Sequence, residues 1–273
     1  MVSYTSSDPT IAQSIALGIG SKVAAVGDAK LQFEIGRVPV NLTSFDFVNN
    51  KLIFKGAVPD EFSGIIYEIA VYSSPYDTVA GEFGSRTLAR FDSNTETWVD
   101  ASTSVAATYS TTNARIGADA LRHTPAASAT KSDILSQISL DLSGYSNADV
   151  FVLAFNAGTA FTSSVKVRLQ TNASNYYEIT SLTPTAGYKV VEIAKSAAVA
   201  TGAPDWSNIT SIQVSTTSTG GGASQIDFDG IRIEDVDTVN PEYVMVSREP
   251  LITPFTKVSG KTQEVEFAMD INV

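Results

Sequence analysis

Glu264-Val-Glu-Phe-Ala-Met-Asp-Ile-Asn-Val273 closes the chain, and its alternation is the strongest single clue to the fold. Val265, Phe267, Met269, Ile271 and Val273 fall on one side, and Glu264, Glu266, Asp270 and Asn272 on the other. Successive side chains of a strand point to opposite faces, so this stretch is a strand with one buried face. Such a strand needs a sheet to pair with and a core to cover, and both must lie earlier in the chain. The first ninety or so residues also read as short strands. The two chain ends are therefore expected to build one module, with a second module inserted between them.

Working inward from the tail, Leu31, Phe33 and Ile35 alternate with Gln32 and Glu34. The phase then slips at Gly36, so that Val38 and Val40 carry on, which is how a β-bulge shows itself in sequence. Ile15–Gly20, Lys51–Lys55 and Ile65–Tyr72 read as further strands. Ser73–Gly84 is loop-like and marks the first boundary; Thr238-Val-Asn-Pro241 marks the second. Between them Thr87–Phe91, Ser139–Leu142, Val150–Phe155, Val165–Leu169, Tyr176–Ile179, Tyr188–Ile193, Ile209–Val214 and Ile226–Ile233 read as strands. Val165, Val167 and Leu169 alternate with Lys166, Arg168 and Gln170, giving one buried and one wet face. Val150–Phe155 is apolar throughout, as a central strand covered on both sides would be. Gly220-Gly221-Gly222 reads as a hairpin loop, and at Gly230 the phase flips again. Eight short strands with no long amphipathic helix predict an all-β chain. The expected layout is a jelly-roll β-sandwich over 85–237, inserted into a smaller β-rich docking domain made of 1–84 and 238–273, with 1–10 as a flexible lead-in.

The chain has 273 residues, 18 Lys+Arg against 29 Asp+Glu, and a formal charge of −11. Nucleic-acid binding is excluded by that balance, because counterion release needs a basic surface. With no cysteine there is no disulfide, zinc–thiolate site or thiol catalysis. The start lacks a secretory pattern and no apolar run is long enough to span a bilayer, so synthesis in a cytosol and no membrane insertion are expected.

Few residues suggest chemistry. His123, the only histidine, stands in Leu-Arg-His-Thr-Pro with no nucleophile elbow nearby, and reads as a solvated loop residue. Gly18-Ile-Gly20 lacks the third glycine and the helix of a phosphate loop, and reads as a strand or turn. Asp227, Asp229, Glu234, Asp235 and Asp237 cluster around Gly230. The EF-hand register fails there, leaving a solvated face as the first reading, structural calcium as the second and a carboxylate pair for catalysis as the third. Trp98, Trp206, Tyr176 and Tyr177 are candidates for a sugar-stacking platform. Trp206 also suits a plug at the end of the sandwich, and strand geometry sends one of the two tyrosines inward.

Two resemblances follow from these residues. Thr87–Asp237 resembles the jelly-roll, galactose-binding-like domains of carbohydrate-binding modules, through Arg90-Phe-Asp-Ser-Asn-Thr-Glu-Thr-Trp98, Asp205-Trp-Ser-Asn-Ile209 and Ile226-Asp-Phe-Asp-Gly-Ile-Arg-Ile233. That resemblance implies a structural calcium ion held by Asp92 or Glu96 with Asp227. The flanks resemble tail-associated and fibre-type proteins of tailed bacteriophages, through Ile15-Ala-Leu-Gly-Ile-Gly20, Val58-Pro-Asp-Glu-Phe-Ser-Gly-Ile-Ile-Tyr-Glu-Ile-Ala-Val-Tyr72 and Val246-Ser-Arg-Glu-Pro-Leu-Ile-Thr-Pro-Phe-Thr-Lys257. This implies a non-enzymatic virion protein, a minor tail or fibre-associated component made in the host bacterial cytoplasm. Its partners would be other virion proteins, copies of itself and a host surface glycan, with the jelly roll exposed. The alternatives are a capsid decoration or head-fibre protein, a carbohydrate-binding module, and last a glycoside hydrolase or lyase using Asp227 and Asp229.

Overall fold

The computed structural model describes residues 13–25, 28, 30–59, 63–72, 86–158, 164–182, 185–218, 225–235 and 245–270. The expected lead-in 1–10, the boundary segments 73–84 and 238–241, the 220–222 loop, and Ile271 and Val273 lie outside the described residues. The fold is all-β. The chain divides into two compact units, Met1–Gly84 with Thr238–Val273, and Ser85–Asp237.

The first unit contains β1 (Ser14–Gly18), β2 (Glu34–Asp46), β3 (Lys51–Val58), β4 (Gly64–Tyr72), β17 (Met245–Lys257) and β18 (Gln263–Asp270). They form one antiparallel sheet in the order β17-β4-β1-β2-β3-β18. The closing strand pairs with β3 from Gln263↔Val58 to Asp270↔Lys51, and its Val265 and Phe267 join Ile15, Leu17, Phe54 and Val71 in the core. The slip at Gly36 is a bulge: Leu17 faces Gly36 and Gly18 faces Glu34, leaving Ile35 unpaired. Gly18 and Gly20 flank a buried carboxylate; a Cβ on either would stand 2.6 Å from Glu68 Oε1. Glu68 accepts hydrogen bonds from the backbone N–H groups of Gly20, Gln32 and Phe33 and from Arg248, so Gly18-Ile-Gly20 wraps an internal anion.

The second unit is a β-sandwich of two six-stranded antiparallel sheets. The first holds β5 (Arg86–Ala89), β7 (Tyr109–Ser110), β8 (Ala120–His123), β10 (Val150–Ala157), β13 (Gly187–Ala194) and β16 (Ile226–Glu234). Its order is β13-β10-β16-β8-β7, and β5 shares with β8 the free side of β16. The second holds β6 (Trp98–Asp100), β9 (Thr130–Leu140), β11 (Ser164–Asn172), β12 (Asn175–Leu182), β14 (Val199–Thr201) and β15 (Ile209–Thr217). Its order is β14-β12-β11-β15-β9-β6.

One core lies between the two sheets, built from Phe151, Leu153 and Phe155 against Val167, Leu169, Ile212 and Val214, among others. Full burial of each such side chain contributes about 1.5–3 kcal/mol. The flip at Gly230 is again a bulge: Ala154 faces Gly230 and Phe155 faces Phe228, so Asp229 has no partner across the ladder.

Candidate functional site

The expected aromatic platform does not assemble. Trp98 lies on the inward side of β6, 1% exposed and stacked on Phe91, so it has no face to offer a sugar. Tyr177 and Trp206 stack in parallel with centroids 3.6 Å apart and pack on the core end. The Tyr177 hydroxyl donates to Pro204 O, and Lys195 Nζ stands 4.8 Å from the Trp206 ring. These two rings seal the sandwich. Tyr176 alone of the four points outward, half-buried, with the Arg168 guanidinium 4.3 Å from its centroid.

The register shows what surrounds Tyr176. Gln170 faces Tyr176 and Ser211, Arg168 faces Glu178 and Gln213, Lys166 faces Ser215, and Ser215 faces Ser132. Since Val165, Val167 and Leu169 fill the core, these partners share the outward face of β12, β11, β15 and β9. The face is already cross-linked. Gln170 Nε2 donates to Gln213 Oε1 at 2.7 Å, Ser211 Oγ to Gln170 Oε1 at 3.0 Å, and Ser132 Oγ to Ser215 Oγ at 2.8 Å. Lys166 Nζ and Arg168 Nε donate to the two oxygens of Glu178 at 2.9 and 2.6 Å. Burial pushes the Glu178 carboxyl up, but the Lys166 and Arg168 hydrogen bonds and charges outweigh it and hold the group below its ordinary range. The result is a mainly polar face across four strands, with Gln170, Ser211 and Ser215 buried in it, Gln213 and Tyr176 half-buried, and Ile134 opposite Gln213. Its members escaped sequence reading because outward polar residues of a strand look alike whether or not they bind; only the register brings them together.

The acidic residues of β16 are buried, not solvated. Asp227 receives Arg122 Nε and Nη2 at 2.7 and 2.9 Å and Asn113 Nδ2 at 2.5 Å. Asp229 accepts from Arg115 N, Ile116 N and the Tyr188 hydroxyl, and burial pushes its carboxyl up to about 7 against those hydrogen bonds. The two carboxylates anchor the 111–119 segment across the outer side of their strand.

The carboxylates expected to hold calcium each serve a different set of donors. Asp92 accepts from Asn94 N and Ala118 N; Glu96 accepts from Arg90 N, Phe91 N and the Trp98 indole. Among the described residues no group of three or more His, Cys, Asp or Glu is placed to hold a metal ion. Asp92, Glu96 and Asp227, which the resemblance implied as calcium ligands, thus each accept hydrogen bonds from protein donors.

His123 is no solvated loop residue. It ends β8, fully buried, with Nδ1 3.0 Å from Thr216 Oγ1 and Nε2 2.9 Å from Asp133 Oδ2, the latter off the line of a good hydrogen bond. Thr216, His123 and Asp133 have the order of a hydrolytic triad, yet all three are sealed between the sheets, where no substrate reaches them.

No protein-family model matches the sequence, and no curated protein matches it. Among solved structures the chain is similar to the glycoside hydrolase domain of Endo-D from Streptococcus pneumoniae R6, with TM-score 0.36 and 18% identity over 52% of this chain and 22% of that one. It is similar to the family 11 carbohydrate-binding module from Clostridium thermocellum in complex with a β-1,3-1,4-mixed-linked tetrasaccharide, with TM-score 0.42 and 12% identity over 55% and 95%. It is also similar to a family 28 carbohydrate-binding module specific for non-crystalline cellulose, with TM-score 0.34 and 13% identity over 50% and 86%. The chain spans 22% and 25% of the Endo-D and agarase AgWH50C chains that it matches.

Proposed function

We propose that the inserted sandwich is a non-catalytic glycan-binding domain, and that sugars lie on the outward face of β12, β11, β15 and β9. The supporting observation is the composition and order of that face. The half-buried Gln213 amide, braced by the buried Gln170 and Ser211, can exchange hydrogen bonds with sugar hydroxyls, and the half-buried Tyr176 ring offers apolar contact on the same face. Their cross-links fix the side chains before a ligand arrives, which lowers the ordering cost of binding. Titration of the full chain with defined oligosaccharides tests this. Tyr176→Ala and Gln213→Ala are each expected to weaken binding about 5-fold or more, the worth of one ordinary contact. A chain that binds no glycan, or variants that bind as the parent does, would remove the reading.

A second reading concerns the first unit. Of nine exposed large hydrophobics among the described residues, seven belong to it, Phe47, Val48 and Ile252 among them; the sandwich has only Val105 and Val199. That bias favours a docking role for the flanking module, which presents the sandwich from a larger assembly. In its specific form the assembly is a tailed-phage particle, at the tail, fibre or head. Gold-labelled antibody on intact particles tests it, and unlabelled particles would dispose of it.

A further inference from the structure

The binding face carries a charge feature that a neutral ligand does not use. Lys166 and Arg168 project from β11, and Glu178 from β12 answers both. One carboxylate set against two cations leaves this cluster at +1, on a chain whose formal charge is −11. The bland reading is a cross-strand ion pair, since Arg168 and Glu178 face each other in register. That pairing needs only one cation, and it uses only Nε of Arg168. Among the described residues the two terminal nitrogens of Arg168 have no protein partner. The guanidinium is nonetheless held, by Glu178 through Nε and by the Tyr176 ring against its plane. Arg168 and Lys166 keep 30% and 37% of their side-chain surface exposed. A fixed guanidinium with its terminal N–H groups open is matched in geometry by a planar carboxylate, which it can grip with two parallel hydrogen bonds.

We infer that the ligand of this face is an acidic polysaccharide of the uronic-acid class, whose carboxylate is received by the terminal nitrogens of Arg168 with Lys166 beside it. Gln213 and Tyr176, both half-buried, then take a hydroxyl and the ring of the same or the next sugar. This inference rests on the glycan-binding reading above and adds the charge of the sugar to it.

The test titrates the full chain with polygalacturonate and alginate oligosaccharides, a neutral mixed-linkage β-glucan and a sulfated galactan. The uronate ligands are expected to bind, and binding is expected to weaken as salt rises from 50 to 500 mM. Arg168→Gln is expected to lower uronate affinity at least about 10-fold, as loss of a charge-assisted pair should. Arg168→Lys keeps the charge and a partner for Glu178 but loses the fork, and is expected to fall between the two. Thermal melts of both variants report whether they fold, and Lys166→Gln, which leaves the Arg168–Glu178 pair intact, gives an independent reading. Binding of the neutral glucan alone, unchanged by salt and by Arg168, would overturn the inference and leave the glycan-binding reading standing. Binding of the sulfated galactan without the uronates would overturn the carboxylate assignment. Absence of binding to all of them would overturn both.

Discussion

His123 is buried with Thr216 Oγ1 at one ring nitrogen and the Asp133 carboxylate near the other. Burial pushes its pKa down, opposed by Asp133, and Lys131 beside them adds a further lowering charge. The folded protein therefore holds a neutral ring where the unfolded chain would take up a proton below about 6.5. A depressed histidine contributes stability above that value and loses it as pH falls, because the unfolded state then binds the extra proton. The parent is expected to lose more thermal stability between pH 7.5 and 5.5 than His123→Gln does; parallel melting curves would contradict this. Asp229 works in the opposite sense. With its carboxyl raised to about 7, the folded state holds a proton that the unfolded state has released above the ordinary value of 3.8. That contribution is present at low pH and is lost as pH rises toward and past 7. The stability of the parent relative to Asp229→Asn should thus shrink from pH 5 to pH 8, read by denaturant titration at both. Comparing variants isolates each group, since the two slopes oppose one another in the parent.

At the scale of elements, the 111–119 segment has no regular structure of its own and is held by side chains. Asp92, Asp227 and Asp229 each accept donors from it, and Ser93 holds Asp119 through its N–H and hydroxyl. Gly117 makes this fit possible. It adopts φ +67°, and a Cβ there would stand 1.9 Å from Asp92 Oδ2. Gly117→Ala is expected to destabilise the sandwich by about 1–3 kcal/mol, a drop of roughly 2–4 °C in melting temperature per kcal/mol. Gly144→Ala, whose Cβ would meet nothing within 4 Å, serves as the control. Equal melting temperatures for the two variants would show that the segment is not clamped.

The same contrast explains what sequence could disclose. Long strands with one buried face, β11 and β18, announced themselves, and so did the two bulges, because a glycine marks each phase slip. The short β6, β7 and β8 have too few residues to show a period. The burial of His123 does not show in sequence because it is decided by Asp133 and Thr216 on the opposite sheet, and that of Trp98 because a three-residue strand does not show which side faces inward. The polar face was invisible because it exists only once Gln170, Ser211 and Gln213 lie side by side.

For the molecule as a whole, the pairing shows how one module interrupts another. The chain leaves the first unit at the end of β4 and re-enters it at the start of β17, where Tyr72 and Met245 are direct partners. Across an antiparallel ladder, partner Cα atoms stand about 4.5–5.5 Å apart. The sandwich shows the same arrangement, since Arg86 at its entry pairs with Ile233 near its exit. Insertions are tolerated where the two cut ends are neighbours, and here each unit keeps its own ends together. The cores are separate as well: one draws on Ile15–Val71 and the closing strand, the other on Leu88–Ile233. It follows that 73–244 should be replaceable by a two-residue Asn-Gly hairpin turn joining Tyr72 to Met245, a link that suits adjacent antiparallel strands. The shortened protein is expected to unfold in one cooperative transition. The excised 85–237 is expected to fold alone and to bind glycan within about 2-fold of the full chain, a difference of less than 0.5 kcal/mol. A shortened protein without a cooperative transition would mean that the first unit draws stability from the insert. A folded excised sandwich with much weaker binding would move part of the glycan site into the flanking module.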